Sequence, residues 1–184
     1  DAWMWAREFK GPDGKRAGVR ESLRWIEGYE RIAETALTMP ETRLVYVADR
    51  EADILELMQC AHALGNPADW LVRSQHNRSL PDGGKLWAEV INGEAVGEIE
   101  FMLPSRHGQA ARVVRQQLRA RSIHLPDGHG GRLRVTCLIA KEMAPPDGVK
   151  AVEWRLLSNR KAETLDDLVA LIEWYRCRWA LAPF

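Results

Sequence analysis

The stretch RLVYVADREADIL, Arg43 to Leu55, constrains the fold more than any other part of the chain. Leu44 to Ala48 is a short unbroken apolar run, the pattern of a strand buried on both faces. The run stops on Asp49, Arg50, Glu51, Ala52 and Asp53. Apolar residues then resume at helical spacing, in Ile54, Leu57, Met58, Ala61 and Leu64, with Gly65 as the expected stop. Upstream, Ile26, Tyr29, Ile32, Ala33, Ala36 and Leu37 share one face of a predicted helix that Pro40 closes. DWLVRS reads as a second short strand. DAWMWAREF, before the loop KGPDGK, reads as the end of a strand or an edge segment. Helix, strand, helix, strand is the order of an α/β layer.

The texture changes at about Gly83. From there to Asn159 short strand-like runs (GEIEFML, ARVVRQQLRARSIHL, RLRVTCLIA, VEWRLLS) alternate with turns such as PDGHGG and PPDG. Thr164 then caps a last predicted helix whose buried stripe is Leu165, Leu168, Val169 and Ile172. The expected plan is therefore a partial α/β core over 1–82, a β-rich insertion over 83–159, and a resumed core helix over 160–184.

A chain of 184 residues suits one domain with an insertion. Its 46% hydrophobic content argues against disorder, and no apolar run reaches the roughly 18 residues of a spanning helix. A first residue of Asp suggests a start inside a longer reading frame. Cys60, Cys137 and Cys177 lack metal-site spacing and read as reduced thiols of a cytoplasmic protein. The five histidines show no ligand spacing. Zero net charge argues against generic nucleic-acid binding, but the distribution is uneven. Arg106, Arg112, Arg115, Arg119, Arg121, Arg132 and Arg134 are opposed in their stretch by Asp127 alone. They form either a solvated strand face or a local phosphate-binding surface. On the second reading, replacing Arg115 and Arg119 together flattens the salt dependence of binding.

A strand that ends in Asp delivers a carboxylate to the sheet's carboxyl edge, where open α/β sheets hold ligands. Asp49 is thus a helix N-cap or a ligand for magnesium or manganese, and a pair of such ions can clamp a phosphodiester. Tyr175 and Arg178 share a face of the last helix, with position 182 one turn on. A guanidinium fork beside a phenol suits phosphate contact; the alternative is a snorkelling Arg beside a half-buried Tyr.

These residues carry a resemblance. VADREADI resembles the segment bearing the second catalytic Asp in bacterial DDE transposases of insertion-sequence family four, the group of the transposon-five enzyme. WYRCRW resembles the start of that family's Tyr-x2-Arg-x3-Glu-x6-Lys signature. ESLRWIEGY, WLVRSQHNRSL with GGKLW, and PPDG with VEWRLL are similar to the family in the same order, so the resemblance spans nearly the whole chain. It implies an α/β, RNase H-like catalytic core with a β-rich insertion. It also implies magnesium-dependent cleavage of transposon ends, strand transfer and a synaptic homodimer on double-stranded DNA, in the bacterial cytoplasm at the nucleoid. Asp49 is then the catalytic metal ligand, and Tyr175 and Arg178 hold DNA backbone. Trp154 stacks on a flipped base or is plain core, and Arg73 is a further DNA contact.

The chain departs from the family pattern where chemistry is concerned. Ala182 stands at the signature Glu, Pro183 follows it, and the chain stops at Phe184 before the signature Lys. The first catalytic Asp belongs to a strand upstream of Asp1. One carboxylate of three remains, so the expectation is weak or absent magnesium binding and no DNA cleavage by this chain alone. The Leu44–Ala48 strand would also lose a neighbour, which favours self-association or poor solubility. Two functional readings follow: a fragment of a cut-and-paste transposase, or a catalytically silent DNA-binding or dimer-poisoning regulator derived from one. An unrelated α/β nuclease is a third.

Overall fold

The computed structural model describes residues 21–105 and 110–181. The predicted N-terminal edge segment, Arg106 and the Ala182 position lie outside them. Among the described residues, four helices and six strands run in the order α1 (Glu21–Thr38), β1 (Val45–Ala48), α2 (Leu55–Ala63), β2 (Asp69–Arg73), α3 (Leu86–Ile91), β3 (Gly97–Leu103), β4 (Arg112–Pro126), β5 (Arg132–Glu142), β6 (Glu153–Ser158) and α4 (Leu165–Leu181). A single 3₁₀ turn, Arg50–Ala52, joins β1 to α2.

All six strands belong to one mixed sheet, in the order β1-β2-β6-β5-β4-β3. β1 and β2 are parallel, as an intervening helix requires. Every other pairing is antiparallel, with β6 laid against β2 and the long β4–β5 hairpin beyond it. The change of texture at Gly83 therefore marks a change of strand pairing within a single sheet.

Helices cover both faces. On one, Tyr29 and Ala33 of α1, Leu57, Met58 and Ala61 of α2, and Leu86 and Val90 of α3 pack on Trp70, Val72, Leu125 and Val135. On the other, Leu168, Leu171, Ile172 and Tyr175 of α4 pack on Leu71, Leu118, Leu138, Trp154 and Leu156. β2 feeds both cores because successive side chains alternate across a strand, Trp70 and Val72 one way and Leu71 the other.

Several details differ from the sequence expectation. Leu37 is 73% exposed, at the frayed end of α1, and Leu64 and Leu165 are also exposed rather than buried. α3, a short helix in the stretch predicted as strands, carries Leu86 and Val90 four apart into the core. Other expectations match. Gly65 ends α2 at φ +80, a left-handed value glycine adopts without strain. Thr164 caps α4: its Oγ1 accepts from Asp167 N at 3.2 Å, while the Asp167 carboxylate accepts from Thr164 N and Oγ1. Those donors hold the Asp167 carboxyl below its usual range. Among the described residues no helix is long and apolar enough to cross a membrane.

Candidate functional site

The charged string after β1 forms a tight turn that sends its two aspartates into opposite surroundings. Asp49 caps the 3₁₀ turn, with Oδ1 accepting from Arg50 N at 2.8 Å, and stays part-exposed. Asp53, at the other end of the turn, is 0% exposed. Its carboxylate accepts from Gln75 N at 2.6 Å, His76 N at 2.8 Å and Arg78 Nη1 at 2.5 Å. Arg78 Nη2 also donates to the Asp53 carbonyl. A buried carboxylate is tolerable where charge-assisted donors saturate it in this way. Asp53 thereby ties the turn after β1 to the loop after β2.

That loop is held from its other side as well. Trp87 Nε1 donates to Ser74 Oγ at 3.0 Å, and the Arg155 guanidinium lies 4.0 Å from the Trp87 ring centroid. The carboxyl edge of the two parallel strands is thus pinned as a unit. Ala48 is level with Val72, so Asp49 follows β1 at the level of Arg73, the last residue of β2, which still pairs with Leu156 of β6. Arg73 is part-buried.

α4 runs back across this edge. Arg178, near its end, places Nη2 3.1 Å from Asp49 Oδ2, joining two motifs from opposite ends of the sequence. A trough of about 560 Å³ leads away from the pair, walled by Ile32 of α1, by Val45, Tyr46 and Val47 of β1, and by Trp174 and Cys177 of α4. The trough is apolar except at its Arg178 end.

The other singled-out residues sit inside. Tyr175 is 0% exposed and packs edge-on against Trp154, with ring centroids 5.9 Å apart. Trp154, 7% exposed, stacks on Phe101 at 5.4 Å, and the Arg176 guanidinium covers the outer face of Phe101. In this conformation neither Tyr175 nor Trp154 presents surface to a nucleic acid; both are packing residues of the α4 core. The structure brings together Asp49 and Arg178, with Arg73 on the neighbouring strand one residue beyond the Ala48–Val72 register, and keeps Tyr175 and Trp154 as a second, buried pair.

Divalent-ion chemistry does not fit the donor set as it stands. One Asp49 oxygen accepts from a backbone N–H and the other faces a guanidinium. Among the described residues no three His, Cys, Asp or Glu side chains converge to hold a metal. A hard divalent cation beside Arg178 would meet like charge, with a single carboxylate to offset it.

The arginine cluster also looks different in space. Arg112 forms a bidentate pair with the buried Glu142, Arg115 pairs with Glu98, and Arg121 pairs with Glu89. Arg119 donates to the Gly93 carbonyl and to Gln117. Acids from other strands and from α3 thus neutralise three of the arginines that looked unopposed along the chain. Glu98 engages Arg115, whereas Arg119, Arg132, Arg134 and Lys141 form no ion pair among the described residues of this hairpin.

Sequence reasoning missed Asp53 and Arg78 as the clamp beneath the site. The available signal was a second Asp four residues after the first, in a string too polar for the buried strand it follows. No protein-family model matches the chain.

Proposed function

We propose that the chain is part of a DDE transposase of insertion-sequence family four, with an RNase H-like core, whose intact parent cleaves transposon ends and transfers strands within a synaptic homodimer on double-stranded DNA. The observation that carries this reading is the 3.1 Å contact between Asp49 and Arg178. The two motifs that resemble the family lie far apart in sequence, and their meeting at the carboxyl edge of a parallel strand pair supports a common site. Part-exposed Arg178 at the end of the trough, and part-buried Arg73 at the end of β2, would offer guanidinium groups to a DNA backbone.

In this reading Asp49 is the surviving catalytic carboxylate, and the chain by itself does not cut. Magnesium or manganese would have to be held by Asp49 with further carboxylates, and none converges on it among the described residues. Arg178 meanwhile neutralises Asp49, which favours the second reading to the same extent: a silent DNA-binding or dimer-poisoning protein that keeps the phosphate-contacting face without the chemistry.

One pair of measurements tests both. Supercoiled plasmid incubated with the purified chain and magnesium or manganese is expected to stay intact; nicking abolished by Asp49→Asn would refute inactivity while supporting the site. Fluorescence anisotropy with a DNA duplex is expected to show binding that Arg178→Ala weakens. No DNA binding at low salt, with the chain folded by circular dichroism, would end the transposase reading and its silent variant together. Flanking DNA that encodes an upstream strand bearing Asp, or a shifted frame restoring Glu and Lys after Trp179, would favour the fragment over the regulator.

A further inference from the structure

A second polar hollow lies at the opposite end of the strands from Asp49. β5 begins at Arg132, but β6 pairs with it only from Thr136 onward, so the tip of the β4–β5 hairpin overhangs the sheet. Beneath the overhang, α2 and the first residues of β2 close a notch of about 280 Å³. Its polar wall comprises His62 from α2, Asn66 after it, Trp70 from β2, His124 from β4, Arg132 and Arg134 from β5, and Asn159 after β6.

Three observations converge on what this notch takes. First, its wall is rich in donors and, among the described residues, holds no acid. Arg132 and Arg134 are exposed and, unlike Arg112, Arg115 and Arg121, have no carboxylate partner. Second, the Trp70 side chain is 2% exposed and its indole N–H has no acceptor. An indole nitrogen donates and cannot accept, so a residue lining the notch carries a buried donor whose bond is unmade. Third, the nearby hairpin acid is already engaged, since Asp127 accepts from His129 N and Gly131 N and is held below its usual range by those donors. The neighbouring hollow, which shares His124 and Arg132, contains Asp82 and Glu89 and so repels an anion. Of the two hollows, the Trp70 notch is the one an anion can enter.

The geometry points to a phosphate-binding notch formed by Arg132, Arg134 and His124 over the Trp70 indole, separate from the Asp49 edge. The two guanidinium groups supply charge-assisted donors to the phosphate oxygens, and the indole N–H supplies a buried donor that fixes orientation. A phosphomonoester, free phosphate and a nucleic-acid backbone share this chemistry. The site does not depend on the transposase reading.

The test uses the whole chain and inorganic phosphate, with chloride at matched ionic strength as the control. The probe is the indole ¹H–¹⁵N resonance of Trp70, assigned through Trp70→Phe. Phosphate is expected to move that resonance saturably, and chloride is not. Arg132→Ala with Arg134→Ala is expected to weaken binding by about tenfold or more, while Arg115→Ala leaves it unchanged. Both notch arginines are exposed, so the double variant should fold, and its other indole resonances check this. A short DNA duplex that competes with phosphate for the shift identifies backbone phosphate as the source; a duplex that does not compete identifies a free phosphate or monoester. A Trp70 resonance that phosphate fails to move, or a shift that survives in the double variant, overturns the notch.

Discussion

Asp49 and Asp53 show how much a few residues of context change a carboxylate. Read along the chain, both are acids at the start of a helix, suited to its first turn. In space one is a part-exposed partner of Arg178 and the other is sealed among donors supplied more than twenty residues later. No local pattern reveals that Gln75, His76 and Arg78 return to Asp53, so the clamp was not legible while the strand-end carboxylate was. The difference has a thermodynamic signature. Asp53→Asn leaves Arg78 buried without its counter-charge and should cost about 3 kcal/mol. Asp49→Asn, at a screened surface pair, should cost less than about 1 kcal/mol. Urea unfolding of the two variants separates them, and equal losses would remove the clamp from the account. Tyr29 makes a second prediction at this scale. Burial raises its phenol from 10.0 to about 12, against the lowering effect of its hydrogen bond to the Ala68 carbonyl. The folded state holds this proton more tightly than the unfolded chain does, so its stabilising contribution is complete below about pH 10 and is lost as pH rises towards 12. Alkaline titration should show Tyr29 phenolate absorbance appearing with loss of the circular dichroism signal, not before it.

At the scale of elements, periodicity served best where an element is long or buried on one side. α1, α2, the β1 and β2 strands, the hairpin strands and the Thr164 cap were all readable, because each repeats its spacing or carries a side chain whose bonding needs are local. α3 was not, since six residues provide one i, i+4 pair and β-like runs surround them. The acidic partners of the arginine cluster were hidden for a related reason: sheet register, not sequence distance, decides which charges meet. Strand pairing β3–β4 brings Glu98 to Arg115, and α3 brings Glu89 to Arg121. If the chain binds DNA, the salt slope should consequently be insensitive to Arg115→Ala with Arg121→Ala and should become shallower by about two counterions with Arg132→Ala and Arg134→Ala. The opposite ranking would mean that the ion pairs open on binding. The Thr164 cap offers a control that touches no functional residue: Thr164→Ala should lower stability by about 1 kcal/mol and leave DNA affinity unchanged.

For the whole molecule, the decisive feature is the position of β1. The strand that carries Asp49 is the end strand of the sheet's order, with β2 its partner among the described residues. Buried-type strands rarely tolerate that position, because an unpaired backbone edge templates pairing with another chain. Here the edge opens into the apolar trough between α1 and α4, so an incoming strand would gain side-chain contacts with Ile32 and Trp174 as well as hydrogen bonds. The chain is therefore expected to self-associate, with sedimentation coefficients that rise with concentration. Cys177 makes the location testable. It is exposed and lines the trough, whereas Cys137 is buried with its thiol raised to about 12, and the Cys60 thiol is raised by burial beside Glu30. A bulky maleimide should react with Cys177 first. Blocking the trough in this way should shift the sedimentation profile towards monomer, while Cys177→Ser exposed to the same reagent should remain associated. A monodisperse monomer with a cooperative melt before any labelling would show that β1 needs no further neighbour. Assemblies indifferent to the label would move the contact to another surface.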